Sequence, residues 1–133
     1  RLAAYDEPVF FNIVNYEQVL ADSGEINARL APDVVILDEA QRIKNPRTKA
    51  ARAARKIPAT FRLALTGTPL ENRLLELWSV VDLILPGYLG SEREFRATHR
   101  DPTQHQLHLL RQRLGVLTLR RVKDRPFFLF LAY

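Results

Sequence analysis

Two adjacent carboxylates, Asp38 and Glu39, close the apolar run Val34-Val35-Ile36-Leu37 and lead into Ala40 and Gln41. One carboxylate in such a place can hold a magnesium ion, and its neighbour can take a proton from an attacking water. That is the chemistry of nucleotide hydrolysis. A second polar group, Thr66-Gly67-Thr68-Pro69, closes another apolar run, Phe61-Arg62-Leu63-Ala64-Leu65. Each has a plainer reading. Asp38 and Glu39 favour the start of a helix through its dipole, and Pro69 suits the first position of a helix entered from a turn. The two groups are more specific together, because adjacent parallel strands would bring both loops to one edge of a sheet. No Gly-x-x-x-x-Gly-Lys-Ser/Thr loop occurs anywhere in the 133 residues.

Holding these groups in place requires strands and crossovers. Val34–Leu37, bounded by Pro32, reads as a strand buried on both faces, with the carboxylates at its C-terminal end. Upstream, Val9-Phe10-Phe11-Asn12-Ile13-Val14 is apolar and β-branched enough to be a strand. Tyr16–Leu20 opens a short helix, Asp22-Ser23-Gly24 breaks it, and Glu25–Leu30 gives a further turn or two. Asn45 followed by Pro46 predicts an N-cap and a helix from Pro46 to about Lys56, stopping before Pro58. Its alanines and Ile57 would face inward, with Lys49, Arg52 and Lys56 on the outer face. Phe61–Leu65 is the third strand. Leu70, Leu74, Leu77, Trp78, Val81 and Leu85 form the stripe of a long helix ended by Pro86-Gly87. Weaker patterns predict helices over Ser91–His99 and Pro102–Leu114 and a short strand over Leu117–Val122. The alternation of strand and helix implies an α/β fold with a parallel sheet and right-handed crossovers.

The length fits one domain with a sizeable core. The absence of Cys excludes disulfides and thiolate metal sites and favours an intracellular setting. No signal peptide follows Arg1, whose place at the start of the chain points to a fragment or a processed product. The run Phe127–Tyr133 is too short to span a bilayer, so no membrane partner is expected. The net charge of +5 hides an asymmetry, with two basic and eight acidic groups in residues 1–41 but eighteen and seven in residues 42–133. Eight Lys or Arg and no acid fall within Arg42–Arg62, which suits a polyanion or, more plainly, a solvated helix face. His99, His105 and His108 lie in a polar stretch without Cys or a carboxylate cluster, which argues against a metal there. Trp78, on a leucine stripe, reads as a core residue.

The string Leu37-Asp38-Glu39-Ala40-Gln41-Arg42-Ile43-Lys44-Asn45-Pro46 resembles motif II, here an Asp-Glu-Ala-Gln box, of the Swi/Snf-type ATPases within helicase superfamily two. Arg62-Leu63-Ala64-Leu65-Thr66-Gly67-Thr68-Pro69-Leu70-Glu71-Asn72 resembles their motif III. Glu76-Leu77-Trp78-Ser79, Asp82 and Leu85-Pro86-Gly87-Tyr88-Leu89-Gly90 match the segment that follows. Asn12-Ile13-Val14-Asn15-Tyr16-Glu17 is similar to the upstream strand and Tyr-Glu turn, and Leu119-Arg120-Arg121-Val122-Lys123-Asp124 to an element closing the first lobe. RNA helicases of the DEAD-box type carry Asp where Gln41 stands and Ser-Ala-Thr where Thr66-Gly67-Thr68 stands, so the resemblance is to the duplex-DNA translocases.

The resemblance implies a partial RecA-like three-layer domain over residues 1–124, followed by an apolar tail over 125–133. It implies ATP and magnesium as cofactors, and double-stranded DNA and DNA-bound protein as partners. Asp38 would hold the metal, Glu39 would be the general base, and Gln41, Thr66, Gly67 and Thr68 would sense the γ-phosphate. Hydroxyl and amide groups suit sensing because they exchange hydrogen-bond partners without leaving a charge buried. Arg42, Lys44, Lys49, Arg52, Lys56, Arg120 and Arg121 are candidates for DNA phosphate contact. The phosphate-cradling loop, the adenine-reading segment and the second lobe of the motor are missing from these residues, so the chain alone is expected to be inactive. The Arg/Ala/Leu-rich composition favours a bacterial cytoplasmic, nucleoid-associated source over a nuclear one. Two alternatives stand beside this reading, a non-catalytic basic nucleic-acid-binding remnant and a truncated non-functional product.

Overall fold

Strand β1, Val34–Leu37, pairs in parallel with β2, Phe61–Thr66, with Val34 opposite Phe61 and Leu37 opposite Ala64. The computed structural model describes residues 5–67, 74–122 and 126–132, with side chains through residue 119. Two further strands, β3 (Thr118–Val122) and β4 (Pro126–Ala132), complete a four-stranded sheet in the order β1-β2-β4-β3. β4 runs antiparallel to β2, with Thr66 opposite Phe128, and antiparallel to β3. The expected parallel pairing is present between β1 and β2, and β4 adds antiparallel pairs beyond it. Within the apolar tail, Pro126–Ala132 is a strand flanked by β2 and β3.

Among the described residues six α-helices connect and cover these strands: α1 Tyr16–Ala21, α2 Ser23–Arg29, α3 Lys49–Lys56, α4 Leu74–Ile84, α5 Glu92–Thr98 and α6 Gln104–Gly115. The main core joins Leu37 and Ala64 of the sheet to Ala51 and Ala54 of α3 and to Leu77, Trp78, Val80, Val81, Leu83 and Ile84 of α4. A smaller cluster gathers Val19, Ile26, Ala53 and Ile57 among α1, α2 and α3. The alanine face of α3 lets the helix lie close to the sheet, and its basic residues Lys49, Arg52 and Lys56 stand in solvent as expected. Arg62, an unexpected polar residue within β2, donates to the carbonyls of Ala54 at 3.2 Å, Arg55 at 2.9 Å and Ile57 at 2.5 Å. A cation there satisfies the carbonyls left over at the C-terminal end of α3 and complements its dipole. No described helix is long and apolar enough to cross a membrane.

Several local expectations are corrected. Val9–Val14 forms no strand, and Phe10, Phe11 and Ile13 are 92%, 70% and 95% exposed. Strand propensity is expressed only where a neighbouring backbone takes the hydrogen bonds, and this segment pairs with none of the described strands. β1 is not buried on both faces, since Val34 and Ile36 are 49% and 53% exposed. Ser23 and Gly24 lie inside α2 rather than in a break. Helix α3 begins after Thr48, whose side chain accepts from the Ala51 N–H at 3.2 Å. Asn45 instead caps the preceding turn, accepting from the Arg47 N–H at 3.0 Å, and Pro46 belongs to that turn. Ser91 and Thr103 head α5 and α6 with complete capping boxes. Leu70 of the apolar stripe lies outside the described residues.

Candidate active site

The parallel pairing of β1 and β2 sets their C-terminal ends side by side, so Asp38 and Glu39 leave the sheet next to Thr66 and Gly67. The chain then enters a 3-10 turn over Ala40–Ile43, anchored by Ala40 and Ile43, which are buried in the main core. Glu39 has φ 50° and ψ 46°, the left-handed region, and among the described residues no other non-glycine residue has a positive φ. This conformation costs roughly 1–2 kcal/mol and persists where neighbours over-determine it. Here the Glu39 N–H donates to Asp38 Oδ1 at 2.9 Å, and the Arg42 N–H donates to the Glu39 carbonyl at 2.8 Å.

The Gln41 amide bridges the two strand ends. The Thr66 hydroxyl donates to Gln41 Oε1 at 2.5 Å, and Gln41 Nε2 donates to Glu39 Oε2. Thr66 is 1% exposed, whereas the carboxylates of Asp38 and Glu39 are open to solvent. A buried hydroxyl is thus wired through one neutral amide to an exposed carboxylate. Loss or gain of a contact at one end changes the partners available at the other. Gly67 is exposed, and Thr68 lies outside the described residues.

The basic candidates separate into three groups. Arg42 pairs with Glu17 at 3.1 Å and lies over the Tyr16 ring, 5.7 Å from its centroid. Lys44 pairs with Glu76 at 2.6 Å. Both are held by the protein's own acids, which the basic run in the sequence did not reveal. Lys49, Arg52 and Lys56 remain an exposed face. Arg120 and Arg121 lie in β3, opposite Phe128 and Phe127, with side chains outside the description. Trp78 is 6% exposed and donates to the Gly90 carbonyl at 3.0 Å, which places it in the core as expected.

Tyr16 is a site residue that residue-type reasoning passed over. Its hydroxyl donates to the Asp38 carbonyl at 2.6 Å. Burial first, and then the charge of Asp38, push its pKa up to about 12, with Arg42 opposing the rise. The sequence contained one signal of this, the Tyr-Glu pair at the start of a short helix. Among the described residues no cluster of three or more His, Asp or Glu could hold a metal ion. Magnesium commonly binds one or two carboxylates and takes its remaining oxygens from water and substrate phosphates, so the exposed Asp38 carboxylate fits that ion as a single protein ligand.

The SNF2-related domain family matches residues 4–125. The chain is 38% identical to a putative ATP-dependent helicase/translocase of Bacillus subtilis over 126 residues, which is 91% of this chain and 14% of that protein. It is 47% identical to an uncharacterized ATP-dependent helicase of Mycoplasma pneumoniae over 92 residues, 68% of this chain and 9% of that protein. Among solved structures it is similar to the Sulfolobus solfataricus SWI2/SNF2 ATPase core in complex with dsDNA. That similarity has a TM-score of 0.70 and 33% identity over 80% of this chain and 23% of the other. The chain therefore spans only a small part of each of these relatives.

Proposed function

Because this chain belongs to the SNF2-related domain family, we propose that it supplies the metal-binding and water-activating half of the ATP site in a DNA-dependent ATPase. The parent protein would move along duplex DNA and displace or remodel bound protein. It would work at the nucleoid in a bacterial cytoplasm, as the composition favours. The fold itself is the RecA-like α/β fold of Swi/Snf-type cores. One observation carries the reading: Glu39 and Thr66, at the ends of adjacent parallel strands, are linked through Gln41.

In this reading Asp38 would hold the magnesium ion, which when bound would offset charge on the nucleotide's phosphates. Glu39 accepts the proton of the attacking water as its oxygen bonds to the γ-phosphorus and the bond to the bridging oxygen breaks, releasing ADP. General-base catalysis of this kind is worth roughly 10²–10⁴ in rate. Gln41 and Thr66 would report the γ-phosphate to the rest of the motor, with Gly67 and Thr68 shaping the loop. The decisive measurement is phosphate release by the full-length protein with and without duplex DNA. DNA should stimulate it, Asp38→Ala should abolish the stimulated rate, and the 133-residue chain alone should run no faster than buffer. Stimulated turnover that survives Asp38→Ala would refute the assignment.

The exposed Lys49, Arg52 and Lys56 face favours one second reading, a non-catalytic DNA-binding segment. It requires salt-sensitive binding that ignores both ATP and Asp38→Ala. Whichever reading holds, if this face contacts phosphates, replacing all three by Ala should weaken duplex binding regardless of sequence. It should also reduce the slope of log affinity against log salt by about three. An unchanged slope would make the face merely solvated.

A further inference from the structure

Helix α1 grips the carboxylate turn with consecutive residues. Asn15 caps the helix, its side chain accepting from the Gln18 N–H at 2.7 Å, which fixes the first turn. Tyr16 then donates to the Asp38 carbonyl at 2.6 Å, its ring lying under Arg42, and Glu17 takes the Arg42 guanidinium at 3.1 Å.

The Asp38 carbonyl belongs to the same peptide unit as the Glu39 N–H, and that N–H donates to Asp38 Oδ1 at 2.9 Å. Both polar ends of one rigid peptide plane are therefore held, the oxygen by Tyr16 and the N–H by Asp38 itself. The left-handed φ of Glu39 is a rotation away from that plane. With the plane fixed, the direction in which Glu39 leaves the backbone is set by that one rotation, which the bond from the Arg42 N–H to the Glu39 carbonyl at 2.8 Å restrains.

We propose that Tyr16 is a positioning residue, its hydroxyl locking the Asp38–Glu39 peptide plane so that the Glu39 carboxylate is aimed at the reacting water. The proposal rests on the ATP-site reading above for its consequence, though not for its geometry.

The test is Tyr16→Phe in the full-length protein, which removes one oxygen and keeps the ring under Arg42. Amide exchange across residues 39–43 should accelerate about three- to tenfold, the equivalent of one hydrogen bond, with α4 unchanged. The kcat for DNA-stimulated ATP hydrolysis should fall by a similar factor, with KM for ATP nearly constant. Tyr16→Ala should enlarge both effects. Unchanged exchange at residues 39–43 would overturn the proposal. So would faster exchange spread evenly through α4, or a rise in KM with kcat intact. A wild-type protein with no ATP turnover would sink the ATPase reading, while the exchange result would still decide whether Tyr16 holds the turn.

Discussion

Replacing Glu39 by Gln in the full-length protein should slow DNA-stimulated ATP hydrolysis by roughly 10²–10⁴-fold while nucleotide binding persists. The substitution is nearly isosteric. The new amide keeps an oxygen to accept from Gln41 Nε2, so the bridge to Thr66 survives. The turn also keeps its anchors at Ala40 and Ile43. What is lost is the ability to accept a proton from water. Phosphate release at saturating duplex DNA, measured beside the affinity for a fluorescent nucleotide, separates the two. A variant retaining more than about a tenth of the wild-type rate would remove Glu39 from the general-base role. A variant that fails to bind nucleotide would indicate that Glu39 shapes the pocket instead.

Trp78→Ala should be the most damaging single change to the fold, costing about 3–5 kcal/mol. Trp78 sits among Leu77, Val80, Val81 and Ile84 in the main core, and its indole N–H is satisfied by the Gly90 carbonyl. Truncation removes the packed ring, leaves a cavity in the main core, and frees the bond that ties the Gly87–Gly90 turn to α4. Trp78→Phe fills much of that volume and should cost less. Trp78 is the sole tryptophan of the chain, so unfolding must be followed by circular dichroism rather than by indole fluorescence. A loss below about 1 kcal/mol would contradict its assignment as a core anchor.

The parts that could be read from residue order were those governed by local pattern. Val34–Leu37, the stripe of α4 from Leu74 to Leu85 and the alanine face of α3 all followed from periodicity and bounding prolines. The juxtaposition of the two candidate loops did too, because two strands in parallel must end at one edge. What could not be read depended on distant partners. Val9–Val14 has the composition of a strand, yet it pairs with none of the strands described. Pro126–Ala132 becomes a strand because β2 and β3 flank it. Lys44 and Arg42 looked like free cations until Glu76 and Glu17 came into view from elements elsewhere in the chain. The Gln41 bridge joins residues 25 apart, and no spacing rule reports an amide that points both ways.

The backbone of Glu39 has a consequence for which residues this position accepts. A left-handed φ is most at ease with glycine or asparagine, so a chain selected for stability alone would place one of them there. Glu39 combines a disfavoured conformation with the carboxylate that the proposed chemistry needs, and the two demands oppose each other at one residue. Stability screens of this protein would therefore be drawn to position 39 and would recover variants that fold better and turn over less.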